Sequence, residues 1–525
     1  MKKIFVDILI IFLVTLFYVF TTCYMKKDYT LVDTLSTNTE PVVSNKVLRS
    51  IESSANSMTV KKNEIDGKNN NRDKNNNKKS LNLNKNINET FYIKSAFRVS
   101  DNVIRLSLIK SIQNNDLLLW WSNGKYGGVV KFECQETKCP AKYVPKCTFV
   151  GYIGIINVPS HIRIDKRIQV QSKKTRKWIS IPLIDVRKPK NFDNTYQHKL
   201  GVCVQPMFLY YNYLELIAFL EHWAAHGATK FYFYKNTFSH NVGKVLKHYK
   251  DNVKSIDIEI IDWSMLPFNG TEQFANPNYF IYRLEPYVAV MDCMYRARYH
   301  VKYVAQVDID ELIITNSKYN NLLDYLEKKS SKAPQTISSF QFMSQFVKFP
   351  NDWKSLDDAK NIKFNHVNIV KTGMLFARPT YSKLVFLPEA NFNYYIHYAL
   401  KTETGKLTNK TYVNYNVPSS ESRIYHHRKI ESKDTSNKMN AESSLMSREI
   451  STINNNMNKH IKLLNFEDDI NNSTIKDAIH AFGICRENRK GDRSKMCTSL
   501  YTCEDQISDN VWKIFEKAKN SWKII

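Results

Sequence analysis

The chain has 525 residues, 43% of them hydrophobic, and a formal net charge of +26. That length exceeds a single compact core and implies two or three domains joined by linkers. So basic a chain suits nucleic acid, an anionic membrane or an anionic substrate, but no zinc-finger spacing and no RNP-like aromatic signature accompanies the charge, which argues against nucleic acid.

Met1-Lys2-Lys3 leads into an apolar run from Ile8 to Tyr24, closed by Lys26 and Lys27. A run of about 17 residues sits at the lower limit for crossing a bilayer. Residues 1–27 are therefore expected to be a short tail and a signal anchor, with a cleaved signal peptide as the rival. Residues 28–90 are polar and asparagine-rich, cannot offset ordering entropy by burial, and are expected to form a disordered stem. Residues 91–195 hold alternating or β-branched runs, Asn102–Ile109, Gly151–Val158 and Ile168–Val170, and read as a β-rich module. Its Trp120, Trp121 and Trp178 suit either a core or a sugar platform.

From residue 196 the pattern becomes α/β. Strands are expected at Gly201–Phe208, Thr229–Tyr234, Ser255–Trp263 and Lys302–Val307, alternating with helices at Tyr213–Ala225, Val242–Tyr249 and Pro286–Tyr299. The alternation implies a mostly parallel sheet covered by helices, with ligands bound beyond the carboxyl ends of the strands. Further strands are expected at Thr336–Phe342, Val367–Phe376, Lys383–Pro388 and Ser422–His427, within a domain closing near residue 430. Residues 431–525 read as a polar, mobile run to Lys459 and a cysteine-containing segment in which Val511–Ala518 has helical spacing. Apart from Cys23 there are eight cysteines, an even number that suggests disulfides in an exported chain. Cys134, Cys139 and Cys147 have metal ligation as their alternative. Sequons at Asn88, Asn269, Asn409, Asn471 and Asn472 fit the same compartment.

The densest chemistry lies at Val304-Ala-Gln-Val-Asp308-Ile-Asp310-Glu311, where an apolar strand runs into carboxylates that need metal, partners or water. Cys203-Val-Gln-Pro-Met-Phe, Glu215-Leu-Ile-Ala-Phe-Leu-Glu-His222, Phe231-Tyr-Phe-Tyr234, Asp292-Cys293-Met-Tyr-Arg296, Asp308-Ile-Asp-Glu311 and His426-His-Arg428 follow one another in an order that resembles glycosyltransferase family 92. The likeness spans roughly residues 200–430. It implies a GT-A (Rossmann-like) catalytic domain at 196–430 after the β-rich module and the N-terminal transmembrane helix. It also implies UDP-galactose as donor, Mn²⁺ or Mg²⁺ as cofactor, and inversion at the anomeric carbon. Where the family usually has His-Tyr-Arg, this chain has His426-His427-Arg428.

On that basis Asp308, Asp310 and His426 are the expected metal ligands, an oxygen and imidazole set that suits Mn²⁺. Arg428 and Lys383 are expected to clamp the diphosphate. Gln205, Pro206, Asn212 and Glu215 occupy the first strand-to-helix turn, where a nucleotide sits in this architecture, although a glutamate early in a helix also suits the dipole. Asp292 and Arg296 either support the donor site or form an intrahelical ion pair. Inversion needs a base for the acceptor hydroxyl, for which Glu389 and Asp352 are candidates; His397 lines the acceptor side or the core. The expected partners are a UDP-sugar donor, a glycan acceptor with fucosylated N-glycans among the candidates, and a membrane. The expected place is the Golgi membrane, single-pass type II, with the catalytic domain lumenal. Transfer from another UDP-sugar, or an inert carbohydrate-binding membrane protein, is the alternative.

Overall fold

The computed structural model describes residues 88–525 except 114–116, 137, 140–145, 174–175, 271–274, 349–370, 377–380, 405–406, 428–446, 465, 467–472, 491–496, 498–502 and 505–506. The apolar run at 8–24, most of the stem, Asp352 and Arg428 lie outside the described residues. Among the described residues, no helix is long and apolar enough to cross a membrane.

Eight strands come first: β1 (Phe91–Arg98), β2 (Val103–Ser111), β3 (Leu119–Ser122), β4 (Gly127–Val129), β5 (Lys131–Cys134), β6 (Phe149–Asn157), β7 (Arg167–Ser172) and β8 (Ile179–Asp185). Their order in the sheet is β4-β3-β7-β8-β1-β2-β6-β5. The two-residue period of β2 divides its side chains between two cores. Ile104, Leu106 and Leu108 pack with Leu119, Trp121 and Val170 inside the module. Val103 and Ile109 share the other core with Val288, Met291 and Tyr295 of the following region. Trp121 is thus core, whereas Trp178 is exposed.

The chain continues through β9 (His198–Met207), α1 (Tyr213–Ala225), β10 (Ala228–Lys235), β11 (Thr237–Ser239), α2 (His240–Asn252), β12 (Asp257–Asp262), α3 (Pro286–Ala297), β13 (Val301–Val307) and β14 (Glu311–Thr315). Then come α4 (Leu322–Lys332), β15 (Thr336–Phe342), β16 (Ser344–Lys348), β17 (Lys371–Leu375), β18 (Lys383–Phe386), β19 (Asn391–Tyr395), β20 (Tyr398–Thr402), β21 (Tyr412–Asn416) and β22 (Ser422–His427). The central sheet has the order β12-β10-β9-β13-β18-β15-β21. Its first four strands are parallel, as the alternation predicts. The sheet then changes sense, because β18 is antiparallel to both β13 and β15. A smaller sheet, β14-β22-β16-β17, stands beside it.

Helix α1 starts where the Asn212 side chain accepts the Glu215 backbone N–H. It stops at Gly227, whose φ of 93° is the left-handed conformation that a C′ residue adopts. Its apolar face is covered by α5 (Ser447–Leu463), which corrects the expectation of a mobile run reaching Lys459. Ile453, Met457 and Ile461 recur every four residues, a buried stripe diluted among asparagines. After α6 (Ser473–Lys490) the expected helix at Val511–Ala518 is shorter. It forms one turn, α7 (Asp509–Trp512), then β23 (Phe515–Lys517) on β11 and β24 (Lys523–Ile524) on β1.

All eight cysteines expected to pair do so: Cys134–Cys139, Cys147–Cys497, Cys203–Cys293 and Cys485–Cys503. The metal alternative for Cys134, Cys139 and Cys147 is thereby excluded. Cys203–Cys293 ties β9 to α3 beneath the cleft described next.

Candidate active site

Parallel strands carry successive side chains to opposite faces and end together, so whatever follows their carboxyl ends shares one rim. Val307, the last residue of β13, is fully buried, and the chain turns out of the sheet at Asp308. The turn is closed twice. The Glu311 N–H donates to the Asp308 carbonyl at 3.1 Å, and the Asp308 N–H donates to Glu311 Oε2 at 3.0 Å. Glu311 points inward at 1% exposure while Asp308 and Asp310 stay part-exposed.

Two neighbours hold Asp308. Gln205 Nε2 on β9 donates to Oδ1 at 2.8 Å, and Lys383 Nζ, opening β18, donates to Oδ2 at 2.9 Å. Lys383 also lies 3.1 Å from Glu311. Burial disfavours the Lys383 ammonium, but Asp308 and Glu311 more than offset it and hold its pKa above the usual lysine range. Burial pushes the Glu311 carboxyl up to about 7, against the pull of Lys383. The pairing of β14 with β22 sets Glu311 opposite His426. That places His426 Nε2 at 3.4 Å from Asp310 and Nδ1 at 3.4 Å from Glu311.

A cleft of about 450 Å³ opens over this cluster, lined by Gln205, Pro206, Tyr210, Glu215, Asp308 and Asp310, with Arg283 on its wall. A second cavity of about 350 Å³ adjoins it between Phe208, Arg283 and Phe482 of α6. Arg283, Leu284 and Glu285 all have positive φ, 44°, 61° and 52°. Such a run costs on the order of 1 kcal/mol or more per residue and persists only where its surroundings hold it. Here the Trp263 indole N–H donates to the Leu284 carbonyl at 2.8 Å, and the buried Glu285 carboxyl accepts the Gly151 N–H at 2.9 Å. Arg283 is exposed and has no carboxylate partner among the described residues.

The fold therefore brings together Gln205, Pro206, Glu215, Asp308, Asp310 and His426, with Asn212 capping the adjacent helix. It corrects the expectations for Glu389 and Lys383, and of the alternatives left open it gives Asp292 and Arg296 the ion pair and His397 the core. Asp292 is fully buried, accepts from the Tyr234 hydroxyl at 2.7 Å and pairs with Arg296, which continues to Glu259 and Ser95. That network spans α3, the sheet and the β-rich module, and offers nothing to a ligand in the cleft. Glu389 is remote, because β18 is antiparallel and carries the chain from Lys383 beside Asp308 back past Val304. There Glu389 accepts from Tyr196, just ahead of β9. Lys383, at 2% exposure, holds carboxylates and is not an open phosphate clamp. His397 is directed to the Ser382 carbonyl at 2.8 Å, and burial lowers its pKa to about 4.

Two features escape the sequence reading. The inward turn of Glu311 depends on the pairing of β14 with β22. Arg283 reaches the rim through backbone geometry, and no local sequence signal marks it.

A profile of glycosyltransferase family 92 matches residues 198–461. The chain belongs to glycosyltransferase family 92. The match begins at His198, the first residue of β9, and runs through the cleft residues into α5. No curated protein matches the chain. Among solved structures, an amylomaltase from Corynebacterium glutamicum is 11% identical with a TM-score of 0.13, over 31% of this chain and 24% of its own. So small an overlap carries no argument. This family 92 chain is a glycosyltransferase of mixed α/β architecture, and its donor and acceptor are sought in the cleft above Asp308.

Proposed function

We propose that the chain is a metal-dependent, inverting GT-A transferase that moves galactose from UDP-galactose to a glycan acceptor. In this reading it is a single-pass type II protein of the Golgi membrane with a lumenal catalytic domain. The observation that carries it is His426. Both of its ring nitrogens are buried and make no hydrogen bond, and Asp310 stands 3.4 Å away at the mouth of the cleft. An orphaned imidazole beside a part-exposed carboxylate fits a divalent cation. Asp310 and His426, with Asp308, would hold it. Bound there, Mn²⁺ or Mg²⁺ supplies Lewis-acid stabilisation of the departing diphosphate.

The chain's own groups do the remainder. Gln205 and Lys383 orient Asp308, and Lys383 offsets part of the charge of three crowded carboxylates. Arg283, the cation on the cleft wall, meets the donor diphosphate. Glu215, at the start of α1, faces the ribose or base. Of the two bases considered for the acceptor hydroxyl, Glu389 is too remote and Asp352 is retained as the candidate. Galactose, the inverting outcome and the lumenal setting rest on the family likeness, the apolar N-terminal run and the disulfides.

The deciding experiment incubates the detergent-solubilised full chain with each UDP-sugar, Mn²⁺ and fucosylated or galactosylated glycans, and follows UDP release. Acceptor-dependent release from UDP-galactose alone is expected. Release from a different UDP-sugar overturns the donor. No release from any donor, alongside retained glycan binding, favours the inert carbohydrate-binding reading.

A further inference from the structure

We propose a second divalent-cation site, suited to a borderline transition ion such as zinc, formed by His198, Asp257 and His300 at the opposite end of the central sheet from the cleft. The parallel strands that deliver Gln205 and Asp308 at their carboxyl ends begin at this other end. His198 opens β9, Asp257 opens β12 and His300 immediately precedes β13. One ligand atom from each lies within 4.8 Å of the other two. His198 Nε2 is 3.6 Å from Asp257 Oδ2, and the two imidazole rings stand 5.0 Å apart at 70°.

His198 decides the matter. It is 8% exposed, its Nδ1 is fixed by the Thr229 hydroxyl at 2.9 Å, and its Nε2 is buried with no hydrogen-bond partner. An imidazole oriented through one nitrogen, with the other left open toward a carboxylate, is the arrangement that metal-bound histidines adopt. The backbone of His300 is held in place beside it. Its carbonyl accepts the His198 N–H at 3.1 Å, and the turn before it holds Tyr299 in the left-handed region at φ 57°.

One charged group facing the cluster, Lys230, competes with an ion for Asp257. Lys230 Nζ lies 2.9 Å from Asp257 Oδ2 and 3.7 Å from Glu259, and Glu259 also pairs with Arg296. The ammonium offsets Asp257 without supplying a partner for His198. Two imidazoles and a carboxylate form a three-ligand set with an open fourth position, and Asp257 at 47% side-chain exposure turns that position to solvent. Imidazoles in this proportion disfavour Ca²⁺ and Mg²⁺. An ion here would tie together the starts of β9, β12 and β13, so it would act on stability rather than on the chemistry of the cleft.

The test uses the full chain in detergent, carrying Asp310→Ala and His426→Ala so that the cleft is silent. After chelation it is titrated with Zn²⁺ by calorimetry and with Co²⁺ by visible absorption. We expect one saturable equivalent, a cobalt spectrum without the thiolate charge-transfer band that Cys23 would give, and a rise of several degrees in the unfolding midpoint with Zn²⁺. Adding His300→Ala, at a part-exposed position that tolerates truncation, should weaken binding at least tenfold and abolish the rise. His300→Asp, which restores a ligand, should recover part of it. Absence of a saturable equivalent, or unchanged affinity in the His300→Ala protein, overturns the proposal.

Discussion

Replacing Lys383 with methionine tests whether the carboxylate cluster depends on one buried cation. Lys383 lies 2.9 Å from Asp308 and 3.1 Å from Glu311. Asp308 is 36% exposed, so solvent screens most of that attraction, whereas Glu311 is 1% exposed and Lys383 3%. At 3.1 Å with an effective dielectric of 20, the Glu311 attraction is about 5 kcal/mol before desolvation. Removing the ammonium leaves a buried carboxyl that must stay charged without a partner or take up a proton. The expected loss is about 3–5 kcal/mol, the scale for breaking a buried pair from one side. Urea unfolding of the full chain at pH 8.5, where the Glu311 carboxyl with its pKa of about 7 is ionised, with chelator present, measures it. Lys383→Met combined with Glu311→Gln removes both charges and should recover at least half of the loss. A single variant within about 1 kcal/mol of the wild type, or a double variant no better than the single, refutes the reasoning.

Four further outcomes follow. Chelation should abolish transfer, Mn²⁺ should restore it best, and Asp310→Ala should lower turnover by about 100-fold or more. His426→Ala should raise the Mn²⁺ requirement while His427→Tyr leaves it unchanged, and the reverse pattern in a metal titration would make His427 the ligand. Arg283→Ala should raise the donor KM about tenfold or more with a smaller change for the acceptor, and an unchanged donor KM removes the diphosphate contact. His226, buried at the end of α1 with its Nδ1 accepting the Leu322 N–H at 3.1 Å, has its pKa lowered by burial to about 4. Its neutral form stabilises the fold fully above its unfolded pKa of about 6.5, and that contribution is lost as pH falls toward 4. Between pH 7 and 5 the loss is about 2 kcal/mol. His226→Gln should flatten the acid limb of urea midpoints by that amount, and an identical limb in both proteins would sink the assignment.

What the sequence carries well is local. Tyr213–Ala225, Thr336–Phe342 and Ser422–His427 are read with the bounds that the structure gives them, because apolar periodicity, Asn212 and Gly227 mark them within the segment itself. Asp308 is legible for a similar reason, since an apolar strand cannot absorb a carboxylate. Strand sense is not local. Glu389 looks like an acceptor-side residue until β18 turns antiparallel and carries it to the far end of the sheet. Asp292 and Arg296 can be read as an intrahelical pair, but only the packing of the β-rich module on α3 shows that they are sealed from ligand. Lys383 changes from clamp to strut because its burial depends on β13, β14 and β18 meeting.

The Cys147–Cys497 bridge joins positions 350 residues apart. Cys147 leaves the ribosome in the company of Cys134 and Cys139, which pair with each other, and meets Cys203 and Cys293 well before its own partner is made. Oxidation in order of synthesis would give it the wrong sulfur. The chain therefore has to keep one thiol reduced through most of translation, or later undo a mispairing by exchange. Its yield in a heterologous host should follow disulfide-isomerase supply more steeply than that of a protein whose cysteines pair with near neighbours.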